Sequence, residues 1–521
     1  MNQNQVSTKK ITKNKKHLIT LLVCVILFAI LLPVYFLVIA PMLITETTEE
    51  PPPALLPGEV LGSNNRILLF EHVQKADIDS IEVHNEHGSY TFKRDGDNFM
   101  VVGMEGAPYS LELLSSLVVS AGYTLSLTRL EEMNDDLSTY GLADADDPAW
   151  YVLTKMDGTK HKVYIGDLIP TGGGYYCMYE GREAVYVLDT TLAATLLADV
   201  HTILTPSLGY PVSTTASMTV DDLQVIRDGK LLVWIDMIPN ESAADGEALV
   251  TYEFKHPEQY IPNTSAYSTF IQLASTLTGD EVVLAGNETE DLDPAMIKER
   301  FGIDIENPDY LVHYTVTENE VDIETILVFS EPDENGDIYV YSSVFNLVAK
   351  IKKENTPTFM SWDLLDFVDD SLFKDSINDV AKLEIQGEIN NGNEKLSVDA
   401  SFTLDGEGQT ILVTPNGSGK PYDADDLKNF RQLYIVLVAL NLQDYTDLDD
   451  ISQMDEVATV TITKDDGKTI EFKFYAYNSR RCFYTVNGEG EFYILRDSVE
   501  KLLRDTDRLL NGLPIDAYGK N

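Results

Sequence analysis

From residue 76 onward the chain repeats one pattern of apolar and polar positions. Short runs alternate with a period of two, break at a Gly-containing dipeptide, and then give way to a period of three to four. The first periodicity predicts half-buried strands and the second predicts amphipathic helices. DSIEVHNEHGSYTFKRDGDNFMVV (79–102) alternates around His87-Gly88 and Asp95-Gly96. MTVDDLQVIRDGKLLVWIDM (218–237) does so around Asp228-Gly229, with ALVTYEFK after it. AKLEIQGEINNGNEKLSVDASFTLDGEGQTILV (381–413) carries Asn391-Gly392 and Asp405-Gly406. Such dipeptides reach positive φ at low cost, as tight hairpins require. A helix is predicted after each meander, at 109–122, 265–279 and 423–442. The first places Leu111, Leu114, Leu117, Val118 and Ala121 on one face. The second aligns Phe270, Leu273, Ala274 and Leu277, and the third Leu427, Phe430, Tyr434 and Leu437.

A second meander follows each helix. AWYVLTKMDGTKHKVYIGD opens the first, YLVHYTVTENEVDIETILVF the second and ATVTITKDDGKTIEFKFYAY the third. Each pass closes on a shorter helical-period segment, at 191–204, 359–373 and 498–510. The fold class expected is α+β, with three repeated units of antiparallel β-meanders and packed helices at 76–208, 217–373 and 378–513. In this alignment Trp150 corresponds to Tyr310, and Cys177 to Cys482. YGLADADDPAW (140–150) and FGIDIENPDY (301–310) fall where a connector hands over to the second meander. Gly141 and Gly302 suit a left-handed stop there, so the surrounding aspartates read as turn residues rather than a metal loop.

Ahead of the repeats the pattern is different. Leu18 to Ile44 carries no charge, and a helix of that length exceeds the ~20 residues that cross a bilayer. A cleavable signal would have a shorter apolar core and a small-x-small site. The expectation is a single transmembrane helix at 18–44, after a Lys-rich cytoplasmic tail (1–17) and before an acidic, Pro-rich spacer (45–75). Lys9, Lys10, Lys13, Lys15 and Lys16 precede the run, whereas Glu46, Glu49 and Glu50 follow it. The positive-inside rule then puts the C-terminal body outside the cytoplasm. That body holds 33 basic and 85 acidic residues, a balance of −52. It repels nucleic acid and anionic headgroups and attracts cationic partners at short range.

Candidate chemistry adds little. Cys177 and Cys482 are too few for a disulfide scaffold. His84 and His87 fall at a hairpin turn with no further zinc ligands nearby. TPNGSGKPYD (414–423) lacks the first glycine and the Ser/Thr of a phosphate loop, and TGGGYY (171–176) reads as a hairpin loop. DENGDIY (333–339), DADDL (423–427) and DYTDLDD (444–450) are oxygen-rich but lack the calcium-loop spacing. Carboxylate pairs for glycoside cleavage are a matter of geometry. Tyr175, Tyr176, Tyr179 and Tyr186 could stack on sugars, although alternating strands favour cross-strand packing. No catalytic, cofactor-binding or metal residue is singled out.

YGL-x(5)-P, WYVLTKMDG-x(5)-YIGD and YYCMYEGREAVYVLD resemble a bacterial domain family of unknown function, numbered forty-three-forty. The resemblance implies single-pass extracytoplasmic proteins, some associated with ABC-type export systems related to gliding-motility auxiliary components. It implies no catalytic residues and no cofactor. The expected function is non-enzymatic: an accessory or scaffold to a membrane complex such as an ABC-type transporter. A cell-envelope glycan- or peptide-binding module is the alternative, and an envelope hydrolase the third.

Overall fold

The structure, a computed structural model, describes residues 53–519 apart from 213–217, 240–249, 291–292, 374–375, 392–393, 408–409, 447 and 449–450. The Lys-rich tail, the apolar run 18–44 and the start of the spacer lie outside the described residues. Among the described residues, no helix is long and apolar enough to cross a membrane.

A short ribbon pairs β1 (Val60–Leu61) with β2 (Ile67–Leu68). Three eight-stranded antiparallel sheets follow. The first contains β3 (Ile78–Asn85), β4 (Gly88–Asp95), β5 (Asn98–Val101), β6 (Ser126–Arg129), β7 (Ala149–Lys155), β8 (Lys160–Leu168), β9 (Gly174–Tyr179) and β10 (Tyr186–Asp189). Its order is β5-β4-β3-β7-β8-β9-β10-β6. The second contains β11 (Met218–Arg227), β12 (Lys230–Pro239), β13 (Val250–His256), β14 (Glu281–Ala285), β15 (Tyr310–Glu318), β16 (Val321–Phe329), β17 (Ile338–Ser342) and β18 (Leu347–Ile351). The third contains β19 (Val380–Asn391), β20 (Glu394–Glu407), β21 (Thr410–Pro415), β22 (Leu442–Tyr445), β23 (Glu456–Lys464), β24 (Thr469–Ala476), β25 (Arg481–Val486) and β26 (Glu489–Leu495).

Their orders, β13-β12-β11-β15-β16-β17-β18-β14 and β21-β20-β19-β23-β24-β25-β26-β22, repeat the first strand for strand. Each repeat lays down a three-stranded meander and sends the chain across to the opposite edge for its fourth strand. It then fills the gap with a four-stranded meander. Neighbouring antiparallel strands need only a tight turn, whereas a jump to the far edge needs a crossover, so a helix follows each first meander.

The helices are α1 (Leu111–Gly122), α2 (Thr190–Leu197), α3 (Thr264–Ser275), α4 (Asn287–Glu290), α5 (Pro294–Phe301), α6 (Leu364–Phe367), α7 (Ala424–Val438) and α8 (Arg496–Leu510). The crossover helices α1, α3 and α7 start alike. Ser110 Oγ accepts from Leu113 N at 3.5 Å, Asn263 Oδ1 from Ala266 N at 3.1 Å, and Asp423 Oδ1 from Asp425 N and Asp426 N at 3.0 Å. Seven residues after each of these caps come Leu117, Phe270 and Phe430, all essentially without exposure. Phe270 packs on Phe359, Trp362 and Phe367 with ring centroids 5.0–5.5 Å apart.

By compactness the described chain divides into two units. One comprises the residues up to Ile78 with Val119–Leu196, the other Asp79–Val118 with everything from Leu197 onward. The second unit holds the whole of the second and third sheets.

The structure departs from the sequence reading in several places. The spacer expected to reach residue 75 is folded well before it: Ile67, Leu68, Leu69, Phe70 and Val73 are each at most 4% exposed. Glu59, with no side-chain exposure, bonds Arg129 Nη1 at 2.6 Å and Tyr186 OH at 2.6 Å and so secures this segment. Leu111, expected on the core face of α1, is 61% exposed because the buried stripe begins at Leu114. Asp405-Gly406 is not a turn but lies inside β20, opposite Leu412 and Ile411.

The segment 359–373 forms no continuous helix: a 3-10 turn at Thr358–Ser361 is followed by the single turn α6. There Asp363 caps Leu365 N at 2.9 Å while Asp366 caps Asp363 N at 2.8 Å. Local carboxylate bonds of this kind compete with helix propagation. The corresponding 498–510 has no internal cap and lies within the fifteen-residue α8.

Cys177 and Cys482 lie on equivalent strands, β9 and β25, but not at equivalent positions. Cys482 pairs with Ile494, the second residue before α8, whereas the second residue before α2, Leu188, pairs with Tyr175. Both cysteines are free and buried. Burial pushes the Cys482 thiol up to about 11 and raises that of Cys177 as well, so neither is a reactive thiolate at neutral pH.

Candidate functional site

Within the second unit the repeats meet twice, and the two meetings differ. On the first repeat's side of the first meeting, Asn85, the last residue of β3, donates from Nδ2 to the carbonyl of Ala198 at 3.0 Å. On the second repeat's side of the second meeting, Arg227, the last residue of β11, donates from Nη1 to the carbonyl of Trp362 at 2.6 Å. Each of those carbonyls immediately precedes a capping aspartate. Asp199 Oδ1 accepts from His201 N and Asp363 Oδ1 from Leu365 N, both at 2.9 Å. His201 and Leu365 therefore occupy the same place.

At the first meeting the His201 side chain is 2.6 Å from Glu288 Oε2 of α4 and 2.7 Å from Asp199 Oδ1. Leu365 can make no such bonds. There a cleft of about 450 Å³ opens between the β11–β12 hairpin, His256-Pro257, the start of α6, Tyr445 of β22 and Glu491 of β26. That volume lies in the usual range for small-ligand sites.

The hairpin wall carries cations because of its turn. Asp228 and Gly229 have φ of 52° and 68°, the paired left-handed geometry of a tight hairpin. The turn brings Arg227 and Lys230 opposite one another as β-partners. Arg227 is committed to the carbonyls of Trp362 and Ser361. Lys230 is exposed, as is His256 at the end of β13.

The facing wall carries Glu491. Its Oε2 accepts from Tyr260 OH and from Gln259 Nε2 at 3.4 Å, and its backbone N–H donates to Tyr260 OH at 3.0 Å. The Tyr260 ring rests edge-on against Phe492 at 4.9 Å. Burial pushes the Glu491 carboxyl above the usual range, the Tyr260 bond opposes the shift, and the nearby Glu489 adds to it. Among the described residues, Lys230, His256 and Glu491 enter no ion pair within 4 Å, although His256 acts on Glu491 electrostatically and draws its pKa down. Leu231, Leu232, Pro257 and Leu364 supply an apolar floor, and the Tyr445 ring is 42% exposed beside them.

The groups weighed from sequence are placed elsewhere. His84 bonds Ser89 Oγ at 2.8 Å, and His87 is 3.9 Å from Asp199. No group of three His, Cys, Asp or Glu suited to a metal ion occurs among the described residues. The carboxylates of DENGDIY serve their own loop. Asp333 accepts from Asn335 N and Asp337 N at 2.8 and 3.0 Å, while Asp337 pairs with Lys350 at 2.8 Å. Asp423 is the cap of α7, and part of 444–450 lies outside the described residues.

Gly174 of TGGGYY is a packing glycine, since a Cβ there would come 2.4 Å from the carbonyl of Leu188. Ser418 and Lys420 of TPNGSGKPYD bond each other across a turn. Of the four strand tyrosines, Tyr186 is fully buried, Tyr176 packs edge-on against Tyr140, and Tyr179 is tilted against Phe70. Three neighbouring acids, Asp221, Asp222 and Asp236, occupy β11 and β12. Burial and then Asp221 push Asp236 up, but Asp221 is spent on the amides of Asp222 and Met237 at 2.8 and 2.7 Å.

The residues of the cleft were not singled out by sequence, because they come from five separated segments. One signal was available. The first-repeat hairpin is flanked by Asn85 and Gly88, and the corresponding second-repeat hairpin by Arg227 and Lys230. Two cations at one turn of so acidic a chain mark a local departure from its charge pattern.

No curated protein and no solved structure matches the chain. A family described as Domain of unknown function (DUF4340) matches residues 101–234. The matched stretch runs from the end of β5 through the rest of the first sheet and into β12, across the boundary between the first two repeats. Over residues 101–234 the chain is thus similar to the DUF4340 family of unknown function, the family that its sequence resembles.

Proposed function

We propose that the protein is a membrane-anchored, extracytoplasmic protein that works by binding, as an accessory or scaffold to a membrane complex such as an ABC-type transporter. The observation that carries this reading is the cleft where the second and third repeats meet. Its lining includes Lys230 and Glu491, which enter no ion pair within 4 Å among the described residues. The uncharged run 18–44, with lysines before it and acids after it, supports the anchor and its direction. Hydrolysis is less well supported, because it calls for two convergent carboxyl groups. Beside Glu491, Asp363 is held as a helix cap, and Asp228 is 90% exposed at the tip of a turn.

Detergent extraction from native membranes and capture of the full chain should recover transporter ATPase and permease subunits. Leu232→Trp, which fills the floor of the cleft, should reduce that recovery at least tenfold. Equal recovery with the filled cleft would remove the cleft from the function. Reproducible recovery of the protein alone would remove the accessory role. The exposed ring of Tyr445 beside an apolar floor favours a second reading, a cell-envelope glycan- or peptide-binding module. That reading requires the chain to sediment with purified cell wall, and Tyr445→Ala to abolish the sedimentation.

A further inference from the structure

The cleft carries charges of both signs: Arg227 lies 3.8 Å from Asp228 and Asp363 is spent as the cap of α6, while Lys230 and Glu491 line it without an ion pair. Lys230 and His256 come from the second repeat, and Glu491 and Tyr445 from the third. Opposite charges within reach of one another normally close into an ion pair. At the first meeting of repeats they do, through His201 and Glu288 at 2.6 Å. At the second, Lys230 and Glu491 line one cleft without forming such a pair. Lys230 and Arg227 are set by the hairpin register, and Glu491 is fixed by Tyr260 and by its own place in β26. Glu491 Oε2 is occupied by Tyr260 and Gln259, which leaves Oε1 as the remaining acceptor of a residue that lines the cleft, with His256 acting on it only through space.

An anion alone would be drawn to Lys230 and His256 but would meet Glu491. A cation alone would satisfy Glu491 but face Lys230. A ligand carrying both charges on a short frame satisfies both walls, and burying each charge against a hydrogen-bonded partner is what makes recognition selective.

We infer that this cleft binds a short zwitterionic peptide with free ends, its ammonium on Glu491 Oε1 and its carboxylate toward Lys230 and His256. The inference rests on the reading of the cleft as the binding site and adds the class of ligand. Apolar side chains of such a peptide would lie on Leu231, Leu232 and Leu364. The ring of Tyr445 offers a further face to the ammonium or to a side chain. A cleft of about 450 Å³ has room for two or three residues. The strongly acidic surface around it favours approach by the ammonium end.

The test is calorimetric titration of the full chain in detergent micelles with alanyl-leucine, N-acetyl-alanyl-leucine and alanyl-leucinamide. The free dipeptide should bind saturably, and blocking either end should weaken binding at least tenfold. Glu491→Gln keeps the shape of the side chain and its bonds to Tyr260 and Gln259. It should erase the preference for a free amine while leaving the preference for a free carboxylate. Lys230→Ala should do the reverse. Circular dichroism and thermal melting establish that both variants are folded.

Equal affinity for all three peptides, or preferences that the two variants leave unchanged, would overturn the zwitterion assignment. No saturable heat at millimolar peptide would overturn it too. If Leu232→Trp still abolished partner recovery in that case, the cleft would remain the binding site with another ligand. If it did not, the broader reading would fail separately.

Discussion

At the residue scale, the two glycines in the connectors show how far local pattern reaches. Gly141 and Gly302 have φ of 65° and 71°, the left-handed stops that the sequence implied. Their surroundings could not be read locally. A Cβ at Gly141 would come 2.6 Å from the Asp167 carboxyl and 2.9 Å from its backbone nitrogen, whereas at Gly302 its nearest neighbour would be Ser330 Cβ at 3.6 Å. Gly302→Ala should therefore cost about 1 kcal/mol, the conformational cost alone. Gly141→Ala should cost roughly twice that or more, as denaturant melts would register.

Glu59 was not visible as a key residue, since its partners Arg129 and Tyr186 lie 70 and 127 positions away. Burial alone would raise its pKa, but the bonds from Tyr186, Leu56 N and Arg129 outweigh burial and hold it below 4.5. Its contribution is therefore fully present above that value and is lost as pH falls through the depressed one. Glu59→Gln should cost about 2–4 kcal/mol at neutral pH, with the difference from the parent chain shrinking in acid. His201 behaves in the opposite sense. Burial lowers its pKa, but Glu288 and Asp199 more than offset this and raise it. Its stabilisation is fully present below about 6.5 and fades as pH rises through the raised value. The stability gap between the parent chain and His201→Gln should accordingly be larger at pH 6 than at pH 9.

At the element scale, the meander strands and crossover helices were legible because each carries a period of apolar residues and ends on its own turn or cap. The far-edge strands β6, β14 and β22 were not, since they lie where the sequence reads as connector or helix end. Nor were the closing segments. Residues 191–204, 359–373 and 498–510 share a helical period, yet only the last is helical throughout. The difference lies in Asp199 and Asp363, which cap new turns partway along, and in the neighbours each segment meets. α8 packs across β19, β20, β23 and α7. Leu503, fully buried there, should cost about 2–5 kcal/mol as Leu503→Ala. Leu510→Ala, at a position 47% exposed, should change stability by at most about 0.5 kcal/mol. A comparison of the two by chemical denaturation separates packing from helix propensity.

At the scale of the whole molecule, the proposed topology makes a plain prediction. Protease added to intact cells should digest the sheets and spare the lysine-bearing N-terminus, and an epitope tag at each end read by immunoblot would record which survives. The reverse pattern would invert the topology and end the proposed role. The sequence by itself determined that the chain repeats three times, because alternation, turn dipeptides and helix caps are local and recur with the same spacing. It also determined the charge of the body and the apolar run before it. Only the tertiary structure decided which hairpin faces which strand. Strand order within a sheet depends on crossovers, and the pairing of Arg227 and Lys230 with a wall made of Tyr445 and Glu491 depends on contacts more than two hundred residues apart. The same Asp cap precedes His201 in one repeat and Leu365 in the next. The joint beside His201 is closed by its ion pair with Glu288, while the one beside Asp363 and Leu364 opens into a cleft.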